Sequence, residues 1–311
     1  MEVITGTRQF QIGEPTVVTI GKFDGRHRGH QKLLQEMNRM KEEKKLAAAV
    51  FTFDMAPMKA VTGKTVTLIT TCEERRAKMA RMGMDYLVEY PFDTEAAHMA
   101  PEEFVERVLV GQMQARAVVA GTDCSFGYKG AGNAVLLKSL AERLGFEAVI
   151  IEKAQDHHRD ISSTYVKEML DRGDVKKAWE LLGEPYAIHG KVVHGNHIGG
   201  SILGFPTANL LPPPEKHLPA FGVYVSRIRV REQEYKGVTN IGRKPTVEGE
   251  SPVGAETFIM GLNEDLYGQE LEVELLEFIR PEKQFGSLEE LKEQIGRDKE
   301  TAKQYFDAKE R

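Results

Sequence analysis

The stretch that decides the fold of the first half of this chain is Gly21-Lys22-Phe23-Asp24-Gly25-Arg26-His27-Arg28-Gly29-His30. It follows an apolar run, residues 16–20, and precedes an amphipathic segment, residues 31–44, and this order predicts a strand, a glycine-rich turn and a helix. Glycine lets the backbone approach a ligand closely, and the first turn of a helix offers unpaired N–H groups and a partial positive charge. His27 and His30 are three residues apart, so both can face one phosphate from such a turn. The stretch therefore predicts a site that holds the phosphates of a nucleotide while one phosphorus atom is attacked.

The two histidines could instead form half of a metal site. Zinc is the weaker alternative, because no cysteine and no third histidine lies nearby in the sequence to complete a ligand set. The ten residues as a whole resemble the HxGH signature of the nucleotidyltransferase superfamily, in the form GxFDGxHxGH found in bacterial FAD synthetases. That resemblance implies a catalytic role for His27 and His30. It also implies contacts to ATP and its phosphates from the surrounding residues Gly21, Phe23, Asp24, Gly25 and Gly29.

The composition is that of a globular protein with two domains. The chain has 311 residues, 41% of them hydrophobic and 29% charged, which suits two ordinary cores. Its net charge of −5 argues against a nucleic-acid partner, because proteins that bind a phosphate backbone usually carry a basic surplus. No apolar run approaches the roughly 20 residues that span a bilayer, and the first residues lack the apolar core of a signal peptide. Two cysteines in no pairing pattern, Cys72 and Cys124, complete the expectation of a cytoplasmic protein without a membrane partner.

Up to about residue 185 the chain alternates short apolar runs with helical patterns. The predicted strands are residues 16–20, 46–53, 86–90, 117–120 and 146–151. The predicted helices between them are residues 31–44, 73–82, 101–113 and 133–144. Near-continuous apolar strands separated by helices indicate a parallel sheet covered on both faces. Ligands of such sheets lie beyond the carboxyl ends of the strands, which is where the turn at residues 21–30 falls.

Beyond Pro185 the pattern changes to short alternating strands with frequent glycine and proline. The predicted strands are residues 188–194, 223–230, 235–240, 257–261 and 271–279, a spacing that indicates an antiparallel barrel of about six strands. Ser287, with Glu290 three residues later, predicts the start of a final helix that runs to about Ala308. The expected fold class is α/β plus β. Residues 1–185 form a Rossmann-like domain with a parallel sheet, and residues 186–311 form a six-stranded antiparallel β-barrel with a terminal helix.

Two further segments of the first half are predicted to reach the nucleotide. The glycine-rich run at residues 121–132 either wraps a base or ring or is an ordinary turn, and the three hydroxyls of residues 162–164 either cap a helix or, with Lys167, cradle a triphosphate. The sequence contains no Walker A string, so P-loop ATP binding is excluded. Both segments resemble the FAD synthetase module, which has GxxFxFG, a glycine-rich loop and then ISSTxIR. The resemblance implies flavin contacts from Asp123, Phe126 and Gly127, and ATP phosphate contacts from Ser162, Ser163, Thr164 and Lys167.

The second half carries one specific string, Gly204-Phe205-Pro206-Thr207-Ala208-Asn209. A proline bend there would set Thr207 and Asn209 side by side, and their oxygens are ligands that Mg²⁺ prefers, although a plain polar turn would look similar in isolation. Together with Glu256-Thr257-Phe258-Ile259, the string resembles the riboflavin kinase family. The resemblance implies ATP contacts from Gly204 and Pro206, a Mg²⁺ site at Thr207 and Asn209, and Glu256 as the general base. A carboxylate suits that role because an alcohol nucleophile loses its proton during phosphoryl transfer, whereas an arbitrary strand glutamate is usually a solvated side chain.

The resemblance extends from about residue 17 to about residue 306, with both modules in the bacterial order. The chain is thereby identified as a member of the bifunctional riboflavin kinase/FAD synthetase (FMN adenylyltransferase) family, with riboflavin, FMN, FAD and ATP as ligands and Mg²⁺ as the cation. Two alternatives stay open: another HxGH adenylyltransferase with an unrelated β domain, and a flavin-binding regulator that has lost catalysis and binds RNA or a partner. The motifs from residue 204 to residue 256 argue against the first. The acidic charge and the presence of His27, His30, Asn209 and Glu256 argue against the second.

Overall fold

A computed structural model of the chain describes residues 1–54, 67–193, 207–243, 253–262 and 264–309. The chain divides into two compact units, Met1–Ser163 and Thr164–Arg311. Among the helices of these described ranges, none is both long enough and apolar enough to cross a membrane.

The first unit is built on a parallel sheet, as the sequence predicts, and the sheet has six strands. Its strands are β1 (Glu2–Thr5), β2 (Thr16–Ile20), β3 (Ala47–Asp54), β4 (Tyr86–Pro91), β5 (Ala115–Gly121) and β6 (Glu147–Ile151). They lie in the order β1-β4-β3-β2-β5-β6, and every neighbouring pair is parallel. The sequence pattern does not predict β1, because four residues at a sheet edge carry too short an alternation to stand out.

The four predicted helices of the first unit are present close to their expected bounds, and the short helix Thr94–His98 is one that the sequence pattern did not predict. They are α1 (Arg28–Lys44), α2 (Cys72–Arg81), α3 (Thr94–His98), α4 (Pro101–Glu103) and α5 (Ala134–Leu144). Helix α4 continues directly into a π-helical segment, Phe104–Gln112, so the helix predicted at residues 101–113 is present but changes its hydrogen-bonding period. A hairpin of β7 (Gln155–Asp156) and β8 (Arg159–Asp160) follows β6.

The sheet is buried on both faces, which explains why its strands are apolar almost throughout. Neighbouring residues of β2 take part in different cores: Val17 packs in a cluster with Met37 of α1, and Val18 packs in another cluster with Val105 of the π-helical segment. All four of these side chains are fully buried. Because side chains alternate between the faces of a strand, a two-sided core requires apolar residues at every position.

The second unit is a closed, antiparallel, six-stranded barrel, again as predicted. Its strands are β9 (Tyr186–Val193), β10 (Thr207–Leu210), β11 (Gly222–Val230), β12 (Gln233–Arg243), β13 (Val253–Ile259) and β14 (Glu270–Pro281). They close in the order β10-β13-β12-β11-β14-β9. The sequence pattern located five of these strands. The sixth, β10, includes Thr207 and Asn209, where a proline bend was expected.

Three helices accompany the barrel: α6 (Ser163–Asp171), α7 (Val175–Leu182) and α8 (Leu288–Lys309). Helix α8 is the predicted terminal helix, and Ser287 Oγ accepts a hydrogen bond from the Glu290 N–H at its start. Its Ala302 packs in one buried cluster with Val225 and Val238 on the outer face of the barrel. Helix α7 packs against β9 and β14. The division by packing therefore precedes residue 185, while the functional boundary at that residue stays a prediction.

Candidate active sites

The turn at residues 21–30 connects β2 to α1 at the carboxyl end of the parallel sheet. It begins where the Gly21 N–H donates to the Phe51 carbonyl of β3, at 3.1 Å. Three residues in the turn have left-handed backbone angles, with φ of 49° at Phe23, 81° at Gly25 and 39° at Arg26. Two of the three are not glycine, so the turn adopts a conformation that L-residues disfavour and that its surroundings must hold.

The two histidines of the turn stack on each other. His27 is the N-cap residue of α1 and His30 lies in its first turn, and their ring centroids are 3.8 Å apart at an interplanar angle of 22°. Gly29 lies beside the His27 ring, and the Phe23 ring contacts His30 at 4.9 Å between centroids. Sequence spacing thus correctly predicted that both imidazoles occupy one side of the turn.

His27 is buried and His30 is half-buried, and the pKa of each imidazole is lowered, which favours its neutral form. Burial lowers the pKa of His27 to about 4, and burial followed by the neighbouring His27 charge lowers the pKa of His30 well below its ordinary value. The Nδ1 atom of each ring is buried and has no hydrogen-bond partner within the described part of the chain. A neutral imidazole carries one N–H donor and one acceptor nitrogen. The pair can therefore present hydrogen bonds to a ligand, and a phosphate anion beside it would favour the protonated form.

Asp24 and Ser163 connect the turn to neighbouring segments of the chain through hydrogen bonds. The Asp24 side chain is 7% exposed, and its Oδ1 accepts the Thr70 N–H at 3.1 Å. Ser163 Oγ donates to the Asp24 carbonyl oxygen at 2.7 Å, which brings the start of α6 to the turn. Direct contacts from these two residues to a phosphate stay predictions. Thr70 is a residue that sequence reasoning missed, because nothing in the local pattern links it to a turn 46 positions away.

The other predicted phosphate residues lie around the start of α6. Ser162 precedes the helix and is half-buried. Thr164 is exposed and Lys167 is half-buried on the part of α6 that belongs to the second unit. The hydroxyl run therefore does begin a helix, whose N–H groups suit an anion.

The predicted flavin residues follow β5. Phe126 is buried in the core of the first unit and forms an isolated β-bridge with Gly132. Gly127 has a φ of 72°, and a Cβ there would lie 2.5 Å from the Pro101 Cα, so packing alone demands glycine. Asp123 faces a polar cavity at the ends of β5 and β6, where its carboxylate pairs with Lys153 Nζ at 3.1 Å. Asp123 is therefore exposed beside this cavity, whereas Phe126 is buried.

The candidate kinase site lies on the outer face of the barrel. Thr207 Oγ1 donates to Glu256 Oε1 at 2.7 Å across the pair of strands β10 and β13. Asn209 is directly opposite Glu256 in the same pair, and Asn240 of β12 is opposite Glu256 on its other side. Cross-strand partners share a face, so these four polar side chains converge. Asn240 was not among the predicted site residues, and the pairing of β12 with β13 places it in this cluster.

The surroundings of this cluster are partly apolar. Asn209 is 7% exposed and Glu256 is half-buried. Phe258, on the same face of β13, receives Lys299 Nζ of α8 at 4.5 Å from its ring centroid. The predicted ATP residues Gly204 and Pro206 lie outside the described residues. Within the described ranges, no group of three or more His, Cys, Asp and Glu side chains is arranged to hold a metal ion.

Comparisons with known proteins match each half of the chain to a protein family. Family profiles described as FAD synthetase and riboflavin kinase match residues 9–165 and 182–306. The bifunctional riboflavin kinase/FMN adenylyltransferase of Escherichia coli (strain K12) is 36% identical over 295 residues, 94% of this chain and 93% of that protein. The protein of the same description from Listeria monocytogenes is 34% identical over 292 residues, 93% of this chain and 92% of its own. A crystal structure of a macrolide-efflux protein from Streptococcus pneumoniae has a TM-score of 0.86 at 32% identity, covering 97% of this chain and 98% of that one. With both profiles matched in order and relatives of similar length, the chain belongs to the bifunctional riboflavin kinase/FMN adenylyltransferase family.

Proposed function

We propose that this chain makes FAD from riboflavin in two steps, each of which consumes one ATP. In the barrel, the riboflavin 5′-hydroxyl attacks the γ-phosphorus of ATP, which gives FMN and ADP. In the first unit, a phosphate oxygen of FMN attacks the α-phosphorus of a second ATP. The bond from that phosphorus to the bridging oxygen breaks, and the products are FAD and pyrophosphate.

Adenylyl transfer requires alignment and charge stabilisation rather than a base. The FMN phosphate is already an anion at neutral pH, so no proton has to leave the nucleophile. In this proposal His27 and His30 donate hydrogen bonds to phosphate oxygens, together with the N–H groups of the first turn of α1; the N-cap position of His27 and the stacking of the two rings support this role. Burial strengthens such hydrogen bonds because it removes competing water. The stacking of the two rings, with both Nδ1 atoms buried, is the observation that supports this step most strongly.

Phosphoryl transfer to riboflavin does require a base. We assign that role to Glu256, whose carboxylate takes the proton of the 5′-hydroxyl as the new P–O bond forms. The hydrogen bond from Thr207 fixes the orientation of one carboxylate oxygen, and the other is the proposed proton acceptor. Asn209 and Asn240 flank the carboxylate and supply amide groups for a polar ligand.

The oxygens of this cluster fit Mg²⁺ chemically. The Thr207 hydroxyl and the Asn209 amide oxygen are hard donors, and an ion that keeps several water and phosphate ligands needs few protein ligands. Thr207 and Asn209 would hold Mg²⁺, which would neutralise charge on the ATP phosphates. A cytoplasmic location is also part of the proposal, since Cys72 and Cys124 are both free thiols.

The decisive experiment is incubation of the full chain with riboflavin, ATP and Mg²⁺, followed by chromatography for FMN and FAD. FMN should appear first and FAD later, and omission of Mg²⁺ should stop both. An adenylyltransferase with an unrelated β domain would convert added FMN to FAD but leave riboflavin unchanged. A flavin-binding regulator would produce neither compound.

A further inference from the structure

The turn at residues 21–30 needs support from outside itself. Phe23 and Arg26 adopt positive φ angles that side chains other than glycine disfavour. Such conformations persist only where surrounding contacts determine them. The catalytic histidines follow directly, so whatever fixes this turn also fixes their positions.

Ile69 and Thr70, named here the brace, supply that support. The Thr70 N–H donates to Asp24 Oδ1 at 3.1 Å, and the Gly25 N–H donates to Thr70 Oγ1 at 3.2 Å. The two hydrogen bonds run in opposite directions between the same two segments. Ile69 closes over Gly25 so tightly that a Cβ on the glycine would lie 2.8 Å from Ile69 Cδ1. Ile69 and Thr70 are each 2% exposed, so water does not compete for these contacts.

The brace is itself anchored to the sheet. Thr71, the next residue, caps α2 by accepting the Glu74 N–H, and the Glu74 carboxylate accepts the Thr71 N–H in return. One turn later, Arg75 Nη2 contacts Glu89 Oε1 of β4 at 2.9 Å, and both side chains are almost completely buried. The brace therefore links the turn to a helix start and an ion pair on the central sheet.

We propose that Thr70 is a positioning residue for adenylyl transfer, which sets the first turn of α1 and thereby the two histidines against the α-phosphate of ATP. The inference rests on the proposed adenylyltransferase activity of the first unit. In this proposal Thr70 acts through its hydrogen bonds to Asp24 and Gly25, and not by binding substrate itself. Since transfer rates depend on sub-ångström alignment, loss of its hydroxyl should reduce kcat more than it weakens substrate binding.

The test compares three variants of the full chain. Thr70→Val keeps the shape of the side chain but leaves the buried Gly25 N–H without its acceptor, and Thr70→Ser restores the hydroxyl. Thr16→Val is the matched control, because Thr16 is also a buried threonine whose hydroxyl donates a hydrogen bond, to the Met113 carbonyl, and it lies at the end of β2 opposite the turn. The measurements are kcat and KM for FAD formation from FMN and ATP, FMN formation from riboflavin as an internal reference, and thermal melting.

We expect Thr70→Val to lower kcat for FAD formation by about tenfold or more with a smaller change in KM, and Thr70→Ser to stay within about threefold of wild type. Thr16→Val should lower the melting temperature but keep kcat, and all three variants should form FMN normally. The inference is overturned if Thr70→Val keeps wild-type kcat, or if Thr16→Val loses as much. If Thr70→Val does not fold by circular dichroism, Thr70→Ala replaces it with the same expectations. A wild-type chain that makes no FAD would instead refute the proposed function.

Discussion

Gly25→Ala should disable adenylyl transfer while sparing the kinase, for two separable reasons. The residue has a φ of 81°, and an L-residue in the left-handed region costs about 1–2 kcal/mol. The new Cβ would lie 2.8 Å from Ile69 Cδ1 and 3.2 Å from Ile69 Cγ2, so either Ile69 or the turn must move. Overpacking of a buried site adds about 1–3 kcal/mol. The free energy of unfolding of the first unit should therefore fall by about 2–5 kcal/mol.

Gly145→Ala provides the matched control in the same unit. Gly145 is the C-cap of α5 with a φ of 74°, and an added Cβ meets no described atom within 4 Å. The Gly145→Ala variant should therefore lose only the free energy of placing an L-residue at a positive φ, about 1–2 kcal/mol. The difference between the two variants isolates the contact with Ile69.

The assay is FAD formation from FMN and ATP at a temperature where both variants are folded. Gly25→Ala should lose at least about tenfold in rate, because moving the turn moves the histidines, and Gly145→Ala should remain near wild type. Adding Ile69→Val to Gly25→Ala removes the nearest clashing atom and should restore part of the rate. Equal activity of the two glycine variants would show that the Ile69 contact does not hold the turn.

Four other expectations follow from the same sites. His30→Ala should abolish FAD formation and let FMN accumulate in the chromatographic assay, and equal loss of both activities in a folded variant would contradict separate sites. Glu256→Gln should lower FMN formation by ~10²–10⁴ while FAD is still made from added FMN, and retained kinase activity would remove its role as base. When the pH falls from 7 to 5, the free energy of unfolding of the first unit should fall by about 2 kcal/mol through His27. The pKa of His27 is about 4 in the folded state and 6.5 in the unfolded state, so in this range only the unfolded state takes up the proton. Urea unfolding at the two pH values measures this loss, which should shrink in His27→Asn. Residues 164–311 expressed alone should fold and make FMN. Residues 186–311 should melt at a lower temperature, because they lack the α7 contacts to β9 and β14. Equal melting temperatures of the two fragments by circular dichroism would show that α7 does not stabilise the barrel.

The sequence by itself determined the fold class of each half and the position of the turn at residues 21–30 between a strand and a helix. The spacing and the number of apolar residues were sufficient to locate five of the six parallel strands and to predict the barrel. A strand buried on both faces is apolar throughout, whereas a strand buried on one face alternates apolar and polar residues. The turn at residues 21–30 was located in the same way, since glycine between an apolar run and an amphipathic segment marks a strand-to-helix connection. The change to π-helical bonding at Phe104–Gln112 was not visible, because helical periodicity does not distinguish closely related helix types.

Only the tertiary structure decided which distant residues meet. Thr207 reaches Glu256 across 49 positions and Thr70 reaches Asp24 across 46, and neither pairing is implied by the residues around it. A local pattern reports which face of an element a side chain occupies, but the choice of partner depends on how loops close and how whole elements pack. The lowered pKa of His27 is decided in the same way, because it follows mainly from burial in the folded chain, which the local sequence does not report.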